Sequence, residues 1–110
     1  MILLDTSGLL AAIDATEDKH AAAAKALLEA EPPLLLSPFV LAEIDYLLTK
    51  RRGASAELAL LREVAIGAYQ LEPFETEDVG AAIELVRRYP SINLGLADAS
   101  IVVLADRHDV

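Results

Sequence analysis

The chain has 110 residues, enough for one small domain with a single hydrophobic core. Its 18 acidic and 9 basic residues give a net charge of −9, which argues against tight non-specific binding to nucleic acids. The absence of cysteine excludes disulfides and thiolate metal ligands, and the apolar runs are too short to span a membrane. We therefore expect a soluble cytoplasmic domain that does not act at a membrane.

The first stretch of the chain joins a short apolar run to a carboxylate. Ile2 to Leu4 predict a strand buried on both faces, and Asp5 follows directly at its carboxyl end. In open α/β sheets, ligands bind at this end of the strands. The next residues predict a helix capped by Thr6 or Ser7, and the alternative is that Asp5 serves only as a helix cap.

A second strand and a long helix follow. After a helix predicted over 17–30, a proline pair precedes the apolar run 34–36, which predicts another buried strand. Ser37 and Pro38 begin a helix that runs to about Arg52 and ends at Gly53. Glu43 projects from the edge of the apolar face of this helix, which consists of Val40, Ile44, Leu47 and Leu48.

The long helix ends in the basic run Lys50-Arg51-Arg52, for which two interpretations are equally good. The run contacts RNA phosphates, or it is a solvated helix end that the helix dipole favours.

Three more helices are predicted in the second half of the chain. One covers 54–68 with Leu58, Leu61, Val64, Ala65 and Ala68 inward, and a weaker strand candidate follows at 69–72. The next begins at Thr76 and points Val79, Ala82, Ile83 and Val86 inward. After a loop at 91–95, the last begins at Leu96, with Asp98 in the middle of its apolar face.

Three carboxylates thus occupy positions where an apolar residue is expected: Asp5, Glu43 and Asp98. If they converge, their mutual repulsion must be offset. A hard divalent cation held through oxygen ligands is the common solution, so the pattern favours a site for Mg²⁺ or Mn²⁺.

The same residues carry a resemblance to a known family. The matching motifs are Leu4-Asp5-Thr6-Ser7-Gly8, then Val40-Leu41-Ala42-Glu43 within the long helix, and Gly95-Leu96-Ala97-Asp98-Ala99-Ser100. Together they resemble the PIN-domain ribonucleases, in particular the VapC-like toxins of type II toxin–antitoxin systems. The resemblance covers nearly the whole chain in order and spacing.

The resemblance implies an α/β fold, a PIN-like three-layer domain in which helices flank a parallel sheet, with residues 1–110 as a single domain. Members of the family usually continue into a further strand ending near another Asp, and then a last strand. We therefore expect that the C-terminal strands are missing, that the domain is C-terminally truncated, and that one edge of the first strand is unpaired.

The resemblance also implies a function: a Mg²⁺- or Mn²⁺-dependent endoribonuclease toxin that hydrolyses RNA phosphodiester bonds. It would act as a homodimer and be inhibited by a cognate VapB-like antitoxin. Asp5, Glu43 and Asp98 take the positions of the catalytic, metal-binding acids. Contacts to phosphate or water are expected from Thr6, Ser7 and Asn93.

Two alternatives remain open. The first is a catalytically weak PIN-shaped module that serves mainly to bind an antitoxin, which the missing family acid favours. The second is phosphotransfer on Asp5, although Ser7 stands where such phosphatases typically have a second Asp.

Overall fold

The computed structural model of the chain describes residues 1–92 and 94–110, and the side chains of all of these except Ile92. The strands and helices in this part of the chain are β1 (Ile2–Leu3), α1 (Thr6–Ile13), α2 (His20–Glu29), β2 (Leu34–Leu36), α3 (Pro38–Arg52), α4 (Ala54–Ala65), β3 (Gln70–Leu71), α5 (Thr76–Arg88) and α6 (Leu96–His108), with a 3-10 turn at Pro90–Ile92. Within these residues, no helix has the length and apolar character needed to cross a membrane.

The three strands form one parallel sheet in the order β1-β2-β3. Leu35 and Leu36 of the central strand β2 are completely buried, which explains the uninterrupted leucine run there. Strand β1 forms an edge of the sheet among the described residues. Because the strands are parallel, Asp5 after β1 and Ser37 after β2 lie at the same end of the sheet. The predicted α/β fold, a parallel sheet flanked by helices, is confirmed.

Helix α3 is the central helix of the domain, and it contacts α1, α4 and α6. Its predicted bounds are confirmed, because the hydroxyl of Ser37 accepts a hydrogen bond from the Phe39 N–H at 3.1 Å and Pro38 occupies the first turn. The helix ends at Gly53, whose φ of 84° favours glycine. Its buried face consists of Val40, Ile44 and Leu48, with Leu47 half-buried.

The inward faces predicted for α4 and α5 are partly wrong. On α4, Leu60 is buried, whereas Leu58 and Leu61 are exposed. On α5, only Ala82 is buried among the described residues, and the larger predicted core residues Val79, Ile83 and Val86 are exposed. These helices lie at the periphery of a small domain, and each buries only a narrow strip of its surface. Which side chains form that strip depends on how the helix packs against its neighbours, and sequence periodicity does not specify this packing.

Ionic contacts fix the C-terminal end of α6 against β3 and α5. Arg107 makes an ion pair with Asp78 at 2.8 Å and donates a hydrogen bond to the carbonyl of Pro73 at 2.9 Å. His108 contacts the carboxylate of buried Glu72. Burial would raise the pKa of Glu72, but hydrogen bonds from Gln70 and His108 outweigh it and hold this pKa below its usual value. These contacts help fix the orientation of the helix that carries Asp98.

Candidate active site

A cleft of about 390 Å³ opens where the carboxyl end of β1 meets α1, α3 and α6. We call it the acidic cleft; it is lined by Asp5, Thr6, Ser7, Leu10, Glu17, Glu43, Leu47, Arg51 and Asp98. Four of these side chains are carboxylic acids and one is basic. The three acids singled out in the sequence, Asp5, Glu43 and Asp98, all line this cleft although they come from three different elements.

Asp5 reaches the cleft because it caps helix α1. Its backbone is extended, with φ −102° and ψ 168°, and its Oδ1 accepts a hydrogen bond from the Gly8 N–H at 2.7 Å. The helix begins at Thr6, so the prediction that Thr6 or Ser7 caps it is wrong. Asp5 can cap the helix and still offer acceptor sites to the cleft, because a carboxylate has more acceptor sites than one N–H donor uses.

Glu43 and Asp98 face the cleft from α3 and α6, and both side chains are exposed to solvent. The expectation that Asp98 lies in the middle of an apolar face is therefore wrong. It lies in the first turn of α6, where a negative charge is favourable for the helix dipole. The buried residues of this helix are Ala99, Ser100 and Leu104. Since water solvates these acids, the folded chain has no need of a cation to offset their desolvation.

The donor set of the acidic cleft fits a hard divalent cation in its chemistry, because Asp5, Glu43 and Asp98 offer carboxylate oxygens only. The side chains are nevertheless spread around the cleft. Over residues 1–92 and 94–110, no three Asp, Glu or His side chains lie close enough together to hold one metal ion. Rotation of the exposed carboxylates of Glu43 and Asp98 would be needed to gather the ligands.

The remaining predicted contacts to phosphate or water are Thr6, Ser7 and Asn93. Thr6 and Ser7 line the acidic cleft beside Asp5, as contacts to phosphate or water would require. Asn93 lies outside the described residues.

Two further residues line the cleft: Glu17, which was not predicted as a site residue, and Arg51, which was predicted only within the basic run that either contacts RNA phosphates or is a solvated helix end. Arg51 Nη1 donates a hydrogen bond to Glu17 Oε1 at 2.7 Å and lies 3.8 Å from Asp14 Oδ2. Asp14 is buried, and its Oδ1 accepts hydrogen bonds from the backbone N–H and the hydroxyl of Thr16. These two bonds hold the pKa of Asp14 below its ordinary value, and the charges of Arg52 and Arg51 add to the effect. For Arg51, the basic run at the end of α3 was the available sequence signal.

A parallel α/β domain in which Asp5, Glu43 and Asp98 line one cleft at the carboxyl end of the first strand is the arrangement that the motifs predicted. A family model of the PIN domain matches residues 2–110, so the chain belongs to the PIN-domain family. The resemblance inferred from the three motifs is thereby confirmed.

Two proteins from Mycobacterium tuberculosis are similar to this chain. The chain is 44% identical over 107 residues to "Ribonuclease VapC26" of strain ATCC 25618 / H37Rv, covering 97% of this chain and 79% of the relative. It also matches the crystal structure of VapC20, described as a Sarcin-Ricin loop cleaving toxin, with a TM-score of 0.90. That match covers 100% of this chain and 85% of VapC20 at 22% identity, and it shows the shared fold. The chain is thus VapC-like, as its motifs predicted.

Proposed function

We propose that this chain is a metal-dependent endoribonuclease toxin that hydrolyses RNA phosphodiester bonds. The observation that carries the proposal is the meeting of Asp5, Glu43 and Asp98 on one cleft. A 44% identical relative is named a ribonuclease, which supports RNA as the substrate.

In this proposal, Asp5, Glu43 and Asp98 hold Mg²⁺ or Mn²⁺ through their carboxylate oxygens. When bound, such a cation activates water and neutralises charge on the scissile phosphate. Asp5 is fixed by its hydrogen bond from Gly8, whereas Glu43 and Asp98 are solvated and free to adjust. One carboxylate orients the attacking water and accepts its proton. The hydroxyls of Thr6 and Ser7 donate hydrogen bonds to a phosphate oxygen or to water.

The test is RNA cleavage by the purified chain in Mg²⁺ and in EDTA. We expect cleavage only with the metal, and loss of cleavage in each of Asp5→Asn, Glu43→Gln and Asp98→Asn. Glu29→Gln, an exposed acid at the end of α2, is the control for a change in net charge and should cleave normally. Cleavage in EDTA, or full cleavage by all three site variants, would contradict the proposal.

One observation favours a second candidate, a catalytically weak module that serves mainly to bind an antitoxin. In the described part of the chain, the acids are not gathered closely enough for one ion. If the second candidate is right, the chain binds an antitoxin tightly while RNA stays intact in Mg²⁺ and in Mn²⁺. Cleavage that disappears in Asp5→Asn would exclude it.

We further propose that the chain acts in the cytoplasm, is inhibited by a VapB-like antitoxin and forms a homodimer. Exposed apolar side chains on α5, namely Val79, Ile83 and Val86, support a protein partner at that surface. Light scattering tests the dimer: the wild type should have the mass of two chains, and Ile83→Lys should shift it towards one. Ribonuclease assays with added antitoxin test the inhibition.

A further inference from the structure

Arg51 differs from the two basic residues beside it in where its side chain lies. It is the one basic side chain among the residues that line the acidic cleft. The Nζ of Lys50 instead lies 5.7 Å from the centre of the Tyr46 ring, and Arg52 is exposed and does not line the cleft. The three basic side chains, which are adjacent in the sequence, therefore lie in different surroundings in the structure.

The position of Arg51 is fixed by two acids on the segment between α1 and α2. Its Nη1 donates to Glu17 Oε1 at 2.7 Å and makes an ion pair at 3.8 Å with Oδ2 of Asp14, a buried atom that has no hydrogen-bond partner among the described residues. The recorded hydrogen bond uses only Nη1, and the side chain keeps 45% of its surface exposed. The guanidinium has further N–H groups for which no hydrogen bond is found among the described residues, and the side chain that carries them lines the cleft.

The charges of the cleft explain what this side chain is suited to bind. Its four acids repel a nucleic-acid backbone, and a bound divalent cation would offset only part of that repulsion. A guanidinium matches the geometry of a phosphate, to which it donates two parallel hydrogen bonds. Because Glu17 already orients the arginine, less side-chain entropy is lost when a phosphate binds.

We propose that Arg51 binds a backbone phosphate of the RNA in the acidic cleft and so positions the strand against Asp5, Glu43 and Asp98. This inference rests on the proposed ribonuclease function. Arg51 is a positioning residue, since the reacting atoms lie at the three acids. Lys50 and Arg52 have no part in it.

The test measures RNA binding rather than cleavage, so that it is read separately from the proposed activity. Binding of a fluorescent single-stranded RNA oligonucleotide to the full chain carrying Asp98→Asn is followed by anisotropy over a range of salt concentrations. Adding Arg51→Gln should weaken binding about tenfold and lower the slope of log K against log salt by about 0.7, the effect of one lost phosphate contact. Arg52→Gln, added to the same parent, is the matched control at the same helix end. It should change the RNA affinity and the salt slope less than Arg51→Gln does.

A second variant separates phosphate binding from a role in anchoring the segment between α1 and α2. Glu17→Gln weakens the contact that holds Arg51 but leaves the arginine present, and it removes a negative charge from the cleft. The glutamine carbonyl can still accept a hydrogen bond from Arg51, and the lost negative charge no longer repels the RNA backbone, so we expect this variant to bind RNA at least as tightly as the parent. Equal losses in Glu17→Gln and Arg51→Gln, equal losses in Arg51→Gln and Arg52→Gln, or no RNA binding by the parent would overturn the inference. Absence of cleavage in the wild type would instead count against the proposed function.

Discussion

The hydroxyl oxygens of Ser37 and Ser100 lie 2.6 Å apart, fully buried, although 63 positions separate the two residues in the chain. Ser100 donates its proton to the carbonyl of Ala97 at 2.6 Å, so Ser37 donates to Ser100 and accepts from the N–H of Phe39. This chain of hydrogen bonds joins the first turn of α3 to the first turns of α6. It therefore helps fix Asp98 relative to the helix that carries Glu43.

The first prediction concerns this link. Ser100→Ala should lower the free energy of unfolding by about 1–3 kcal/mol, because it leaves the buried hydroxyl of Ser37 without its acceptor. Urea denaturation measures the loss. Ser55→Ala, at an exposed position in the first turn of α4, is the control and should stay within about 0.5 kcal/mol of the wild type. Equal stability of the two variants would contradict the importance of the link.

The second prediction concerns Gly8, whose N–H holds the carboxylate of Asp5. A Cβ at position 8 would lie 2.6 Å from Asp5 Oδ1, so Gly8→Ala must displace that carboxylate. We expect stability within about 1 kcal/mol of the wild type, because the gain in helix propensity offsets the lost cap. RNA cleavage should fall roughly tenfold to a hundredfold, the usual effect of a misplaced catalytic group.

Gly80→Ala on α5 is the matched control for this change. A Cβ there meets nothing within 4 Å, so the variant should gain about 0.5–1 kcal/mol and cleave RNA normally. Normal cleavage by Gly8→Ala would show that the cap does not position Asp5 for catalysis.

Local signals in the sequence predicted some elements well and others poorly. The bounds of α3 followed from Ser37, Pro38 and Gly53, because capping and termination depend on neighbouring residues. The inward side of α5 did not follow: Ala82 packs against the domain while Ile83, a stronger hydrophobe, is exposed. A peripheral helix meets its neighbours along a narrow strip where a small residue allows close approach, and hydrophobicity alone does not locate that strip.

The candidate site, too, could be predicted from the sequence only in part. The motifs placed Asp5, Glu43 and Asp98 on elements that meet at one cleft, but the sequence suggested that Asp98 is desolvated and the structure exposes it. Glu17 and Arg51 meet across 34 positions of the chain, so no local pattern indicates their contact. The chemical roles of the three acids remain a prediction.

The third prediction concerns pH and Asp14. Its pKa in the folded chain lies below the ordinary value of 3.8, chiefly because Thr16 donates two hydrogen bonds to it. A carboxyl with a lowered folded pKa contributes stability that is present above the unfolded value and lost as the pH falls through the folded value. The melting temperatures of wild type and Asp14→Asn should therefore converge as the pH falls below 3.8. Asp18→Asn, an exposed acid of the same segment, is the control. A difference that stays constant at low pH would contradict the prediction.

The fourth prediction concerns the edge of the sheet formed by β1. The N–H of Ile2 donates to the carbonyl of Pro33 at 3.2 Å, and that of Leu4 to the carbonyl of Leu35 at 3.0 Å. The N–H of Leu3, between them, points away from β2, where the described residues supply no further strand. In the 110-residue chain, Leu3 should exchange its amide proton at least about tenfold faster than Leu4. Equal protection would mean that another segment or a second chain pairs with this edge.

Whether Asp5, Glu43 and Asp98 bind a metal can be measured by titrating the purified chain with Mn²⁺ and following the electron paramagnetic resonance signal of the free ion. We expect saturable binding by the wild type and by Glu29→Gln, and weaker binding by each of Asp5→Asn, Glu43→Gln and Asp98→Asn. Mn²⁺ binding of equal strength in all five proteins, or no binding by the wild type, would contradict the claim that these three acids form a metal site.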